Sequence, residues 1–219
     1  MATLIFDLDS TIATCESLVE IFRIKGLNEK QLAEMRKITD LAMAGKIPFN
    51  ESLENKLAVM PIYRKDVIDF GESIGNQYTP KMDNLIKHLI KKGHQIWIIS
   101  GAPREIVIGA GKYVGLPSNR CLGVVLKWSN DGKYEGVDYS QAMSRSKWEA
   151  AQEVKKEWGH PSIAIGDAMT DYEIFERGIV DKFILFTEIK RREAVLEKKV
   201  VEAKNVEELQ NQLNKMIYG

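Results

Sequence analysis

Three short apolar runs constrain this chain more than anything else in it. Leu4-Ile5-Phe6, Gln95-Ile96-Trp97-Ile98-Ile99 and Ser162-Ile163-Ala164-Ile165 each stop at a polar loop. Those loops are Asp7-Leu8-Asp9-Ser10-Thr11, Ser100-Gly101-Ala102-Pro103 and Gly166-Asp167-Ala168-Met169-Thr170-Asp171. Continuous apolar runs of this length suit strands buried on both faces, which belong to parallel sheets covered by helices. Helical patterns separate the runs. Met82, Leu85, Ile86, Leu89 and Ile90 form one stripe, opened by Thr79-Pro80 with proline at the first helical position and closed by Gly93. Pro103 opens a helix that Gly109 and Gly111 weaken, and a helix over 144–158 carries Trp148, Ala151, Val154 and Trp158. Further strands are predicted at 122–126, 183–186 and 200–201, with a hairpin turn at Asn130-Asp131-Gly132, and Asn205 caps a terminal helix. The alternation predicts an α/β fold: a Rossmann-like, doubly wound, mostly parallel sheet. Ligands bind such sheets at the carboxyl ends of the strands, so neighbouring strands would bring the three polar loops to one rim.

Between the first strand and Thr79 no strand interrupts a run of helical patterns. Leu18, Val19, Ile21, Phe22 and Ile24 make one apolar face, closed by Gly26. Asn28 with Gln31 three residues on forms a capping box before Leu32, Met35, Ile38, Ala42 and Met43. Asn50 is expected to cap a third helix, stopped by Pro61, and 64–76 gives a fourth. The expected organisation is a core of residues 1–13 and 77–219 and an inserted helical bundle of residues 14–76.

Lysine plus arginine and aspartate plus glutamate number 31 each, so no basic footprint points to nucleic acid or an anionic membrane. No apolar run approaches membrane-spanning length, and Asp7 and Asp9 interrupt any leader-like amino terminus. Cys15 and Cys121 have no metal-ligand spacing. A soluble, cytoplasmic, disulfide-free enzyme, monomeric or homodimeric, is the expectation.

Asp7 and Asp9 lie two residues apart, so a strand would point both the same way. Like charges that close need a cation or a shared proton. The other polar residues read blandly when taken singly. Ser100 suits a helix cap, Lys147 a solvated lysine and Asp167 another cap, while Asp171 suits a first-turn acid favoured by the helix dipole. Their joint order along the chain is what carries chemistry.

That order resembles the haloacid dehalogenase-like phosphohydrolase superfamily, and within it the phosphoserine phosphatase branch. The four motifs are Asp7-Leu8-Asp9-Ser10-Thr11, Ser100, Lys147, and Gly166-Asp167 with Asp171. The inserted bundle stands where that branch carries its cap. The resemblance implies a Mg²⁺-dependent phosphomonoesterase acting on a small phosphorylated metabolite. Asp7 would attack phosphorus and form an aspartyl phosphate, and Asp9 would serve as general acid and base. Mg²⁺ would be held by Asp7, the backbone carbonyl of Asp9 and Asp167. Ser100 and Lys147 would stabilise the phosphoryl oxygens, with Thr11 and Gly101 also on the substrate side. Asp171 and Thr170 would support the site, Asp171 by orienting Lys147 or backing the metal.

For the substrate, Glu16 matches the position that receives the ammonium of O-phosphoserine, and Met43 and Phe49 match apolar pocket residues or ordinary bundle core. Lys56 departs from an arginine that grips the substrate carboxylate, keeping the charge but losing the planar fork. Ser100-Gly101-Ala102-Pro103-Arg104 lacks the usual double glycine and adds a cation at Arg104. O-Phosphoserine is therefore the first candidate substrate. Another phosphorylated amine, alcohol or sugar, or a non-catalytic phosphate-binding role, is the alternative.

Overall fold

The computed structural model describes all 219 residues. Strand β1 (Thr3–Phe6) is followed by four helices, α1 (Ser17–Ile24), α2 (Glu29–Met43), α3 (Phe49–Leu57) and α4 (Arg64–Ser73). Then come α5 (Met82–Lys91), β2 (Gln95–Pro103), α6 (Arg104–Tyr113), β3 (Cys121–Val124), and the pair β4 (Leu126–Trp128) and β5 (Tyr134–Val137). The chain continues through α7 (Ala142–Arg145), α8 (Lys147–Val154), β6 (Ser162–Gly166), α9 (Met169–Glu176) and β7 (Lys182–Phe186). It ends with α10 (Glu193–Leu196), β8 (Val201–Ala203) and α11 (Val206–Tyr218).

Six strands form one sheet in the order β3-β2-β1-β6-β7-β8, every pair parallel. β4 and β5 make a separate antiparallel pair. Side chains alternate along each strand, which builds two cores. Leu4, Phe6, Ile98, Ile165 and Ile184 pack on one face with Leu85, Ile86 and Leu209 of α5 and α11. Ile5, Trp97, Ile99, Ala164 and Leu185 pack on the other with Ala151 and Ile174 of α8 and α9. This is the doubly wound α/β architecture that the apolar runs predict.

Register explains why the polar loops meet. Phe6 pairs with Ile98 on one side and with Ile165 on the other. Asp7, Ser100 and Asp167 follow those positions by one or two residues, so all three reach the same end of adjacent strands. Strand order reverses direction about β1, and this crevice is where open α/β sheets hold ligands.

Local details differ from the sequence expectations. β1 ends at Phe6, so Asp9 lies beyond the strand in the turn that continues through Ser10 at φ 58°, and strand alternation does not place it. Thr79 does not cap a helix. Its hydroxyl donates to the Thr11 carbonyl at 3.0 Å, and α5 begins three residues later, after Lys81 at φ 71°. Pro48, not Asn50, precedes α3, and its carbonyl accepts the Ser52 N–H. β2 runs through Pro103, so the following helix starts one residue late. The helix expected over 144–158 is two helices, because extended Ser146 (φ −164°, ψ 156°) ends α7 and caps α8 by accepting the Glu149 N–H at 3.2 Å. No helix is long and apolar enough to cross a membrane.

Candidate active site

Asp7 stands at the tip of β1, 5 % exposed. Its backbone N–H donates to the Ile165 carbonyl at 2.9 Å, which extends the ladder with β6 by one bond and fixes the carboxylate over the sheet's end. Lys147, at the start of α8, lies with Nζ 2.8 Å from Asp7 Oδ1 and 2.7 Å from Asp171 Oδ1. Ser146 is what makes this possible: the cap breaks the helix and turns its first side chain inward. The Lys147–Asp7 contact is a buried ion pair, with the ammonium shared between the two carboxylates. Burial alone pushes the Lys147 ammonium down, but Asp171 and Asp7 outweigh it and hold the group above its ordinary range.

Asp171 is tied on both oxygens. Oδ1 takes the Lys147 hydrogen bond, and Oδ2 accepts the Ala168 N–H at 3.1 Å. Gly166 is required beneath it, since a Cβ there would lie 2.2 Å from the Asp171 carboxyl carbon. Burial first, then the Asp7 charge, raises Asp171 to about 7. Asp167 is likewise pushed well up by burial, against the opposing pull of Arg192. Asp7, Asp167 and Asp171 each bring one oxygen within 4.8 Å of the others, all three buried.

Asp9 is held by Ser17 at the start of α1, whose hydroxyl donates at 2.5 Å and whose N–H donates at 3.0 Å. Burial and the Glu16 charge raise Asp9 to about 7. Glu16 in turn accepts the Ser10 hydroxyl at 2.9 Å. Ser100, fully buried near the end of β2, accepts the Ala102 N–H at 3.3 Å.

Helices α2 and α3 close the crevice from above. Phe49 presses on Gly101 so tightly that a Cβ on Gly101 would meet the ring at 2.7 Å. Met43 Sδ sits 4.0 Å from the Thr170 hydroxyl. Lys56 is buried, with the Thr39 hydroxyl at 3.3 Å as its hydrogen-bond partner, and burial lowers its pKa. The space left is a cavity of about 30 Å³. Asp7, Asp9, Glu16, Met43, Phe49, Lys56, Ser100, Gly101, Lys147 and Asp167 of the sequence-predicted residues line it. Thr11, Thr170 and Asp171 do not: Thr11 is buried with its hydroxyl unpartnered, Thr170 meets Met43, and Asp171 holds Lys147.

One lining residue was not singled out from the sequence. Arg192, ahead of α10, is 8 % exposed. Its Nε donates to Asp167 Oδ2 at 2.7 Å and its Nη1 to Asp40 Oδ1 of α2 at 2.9 Å. In the sequence it lies in the run Lys190-Arg191-Arg192-Glu193, where nothing separates it from neighbours that stay in solvent. Arg104, the extra cation after β2, lies outside this cavity.

Residues 4–176 match the haloacid dehalogenase-like hydrolase family. Phosphoserine phosphatase of Homo sapiens is 31% identical over 77% of this chain and 74% of its own length. The chloroplastic phosphoserine phosphatase of Arabidopsis thaliana is 30% identical over 87% of this chain, which spans 64% of that protein. The crystal structure of a phosphoserine phosphohydrolase-like protein from Francisella tularensis superposes with TM-score 0.91 at 33% identity, covering 97% of this chain and 100% of the other.

Proposed function

The chain belongs to the haloacid dehalogenase-like hydrolase family, in its phosphoserine phosphatase-like branch, and we propose on that premise that it hydrolyses a small phosphomonoester, O-phosphoserine first among candidates, through Asp7. It is a phosphoric monoester hydrolase. The observation that carries the reading is the meeting of Asp7, Lys147, Asp167 and Asp171 at the end of β1, within the distances given above.

The residues fit a hard divalent cation. Three buried carboxylates converge, and Mg²⁺ prefers oxygen donors. Asp7 and Asp167, with the backbone carbonyl of Asp9, would hold it. Bound there, Mg²⁺ supplies positive charge against the phosphoryl oxygens.

The chain's own residues do the rest. An Asp7 oxygen attacks phosphorus, a P–O bond to the carboxylate forms, and the ester P–O bond breaks. Asp9, poised by Ser17, gives its proton to the leaving oxygen. Asp9 then takes a proton from water, which attacks phosphorus and frees Asp7 and inorganic phosphate. Lys147 and Ser100 offset charge on the equatorial oxygens, and Asp171 keeps the ammonium aimed. Glu16 faces the substrate's ammonium, and Lys56, Met43 and Phe49 shape the remainder of the pocket.

A cavity of about 30 Å³ is too small for such a substrate. Residues 14–76 therefore act as a cap that lifts to admit it, over a core of residues 1–13 and 77–219. The two thiols, Cys15 and Cys121, are free, which suits the cytoplasm. The test is phosphate release from O-phosphoserine, phosphoethanolamine and an aryl phosphate, with Mg²⁺ and with EDTA, by wild type and Asp7→Asn. Mg²⁺-dependent turnover that Asp7→Asn abolishes is expected. Absence of turnover on every ester would leave a phosphate-binding module instead.

A further inference from the structure

We infer that Ser17 is a positioning residue for the reaction: it occupies the rear of the Asp9 carboxyl, so that the proton Asp9 delivers sits on the side facing the leaving oxygen. The inference rests on the phosphomonoesterase reading and gives a residue of the inserted segment a part in the chemistry.

Both Asp9 oxygens accept from the same residue. The Ser17 hydroxyl donates to Oδ1 at 2.5 Å, and the Ser17 N–H donates to Oδ2 at 3.0 Å. One donor on each oxygen fixes the plane of the carboxyl as well as its place. Ser17 is steadied in turn by its neighbours. The Ser10 N–H donates to the Cys15 carbonyl at 3.2 Å and the Ser10 hydroxyl to Glu16 at 2.9 Å, which ties the turn after β1 to the start of α1. Ser17 is fully buried and outside the cavity, whereas Asp9 lines it. The carboxyl therefore has a rear, filled by Ser17, and a front, turned to the substrate.

Each carboxyl oxygen has two lone-pair sites, and Ser17 takes one on each. The N–H cannot turn round to accept. The hydroxyl has no other acceptor, so turning it would leave a fully buried O–H unpaired. A proton on Asp9 is thus directed to the front. In the first chemical step the ester P–O bond breaks, its electron pair stays on the leaving oxygen, and the Asp9 proton goes to that pair. An alkoxide or a simple phenolate needs this proton, while a nitrophenolate or a thiolate leaves without it. Such a transfer depends on hydrogen-bond reach, and a displacement of about 1 Å can cost about a hundredfold. Ser17 also seats α1: Glu16 ahead of the helix makes no side-chain cap, and Asp9 takes an N–H that the helix start leaves without an intrahelical partner. Seating a helix serves every substrate alike, whereas directing a proton serves only those that need one.

Two pairs of compounds separate these roles. Phenyl phosphate and 4-nitrophenyl phosphate share a ring, and O-phosphoserine and S-phosphocysteine share an amino acid; in each pair the first needs the proton and the second does not. The quantity measured is kcat/KM, which includes departure of the leaving group, for wild type, Ser17→Ala and Ser17→Thr, with thermal melting to establish folding. Ser17→Ala is expected to lower kcat/KM roughly ten- to a hundredfold on phenyl phosphate and O-phosphoserine, the range of one lost hydrogen bond to a charged group. On 4-nitrophenyl phosphate and S-phosphocysteine it should stay near the wild-type value. Ser17→Thr keeps the hydroxyl and is expected to restore most of the loss. Equal losses within each pair mean that Ser17 only seats α1, and they overturn the inference while leaving the phosphatase reading intact. A wild type that hydrolyses none of these compounds with Mg²⁺ refutes that reading, and the role of Ser17 falls with it.

Discussion

Replacing Lys147 with methionine is the perturbation whose size the structure determines best. The ammonium is buried between Asp7 at 2.8 Å and Asp171 at 2.7 Å, so its loss strands two buried carboxylates. Removing one partner of a buried ion pair costs about 3–5 kcal/mol, most of it the penalty of the charge left behind. For a chain of this length that corresponds to a melting temperature lower by roughly 6–20 °C. The pH dependence identifies the cause. Burial and the Asp7 charge already raise Asp171 to about 7 with Lys147 in place, and removing the cation raises it further. A carboxyl whose folded-state pKa lies above its unfolded value favours the folded state at low pH and loses that contribution as pH rises through the folded value. Lys147→Met is therefore expected to cost up to the full amount at about pH 8, and only about 1–2 kcal/mol at about pH 5, where Asp171 takes up a proton. Urea unfolding at the two pH values, in EDTA, measures both numbers. Lys147→Met combined with Asp171→Asn should recover part of the loss at the higher pH. An equal penalty at both pH values, or no recovery in the double variant, would refute the argument that this lysine neutralises a buried acidic pair.

Other outcomes follow from the same geometry. Burial raises Asp9, Asp167 and Asp171 when no cation is bound, so protons compete with Mg²⁺. Mg²⁺ affinity, followed by the rise in melting temperature on titration, should strengthen from about pH 6 to about pH 8; a pH-independent affinity would contradict it. Gly101→Ala brings a Cβ to 2.7 Å from the Phe49 ring, so it should lower kcat/KM, and adding Phe49→Ala should return part of that loss because the obstacle is a side chain. At Gly166 the obstacle is a side chain that cannot swing away, because the Asp171 carboxyl 2.2 Å from an added Cβ is tied to Lys147 and the Ala168 N–H, and a loss of about 1–3 kcal/mol in urea unfolding is expected for Gly166→Ala.

The sheet and the convergence of its loops were legible because long-range order follows from short-range pattern. Apolar runs that end in Asp7, Ser100 and Asp167 can reach one rim only if their strands are adjacent and parallel, and they are. What failed was local. The Ser146–Glu149 cap was present in the sequence, but the apolar stripe of the flanking helices ran across it and hid the break that turns Lys147 inward. Thr79-Pro80 carried a helix-start signal, but the Thr79 hydroxyl is taken by the Thr11 carbonyl across the chain. Asp9 lies in the turn beyond β1 and is held there by Ser17, an arrangement that no alternation rule anticipates. Arg192 was invisible for another reason. Its burial comes from three acids far away in sequence, Asp167, Asp40 and Glu16, and nothing in its own neighbourhood records them.

The proposal that one carboxylate at the tip of the first strand accepts the phosphoryl group is tested most directly by catching it there. Enzyme mixed with O-phosphoserine and Mg²⁺, quenched in acid within one turnover and digested, should yield a phosphoryl group on the peptide containing Asp7, absent from Asp7→Asn. Turnover that persists in Asp7→Asn, or a phosphoryl group found on any other residue, would contradict it.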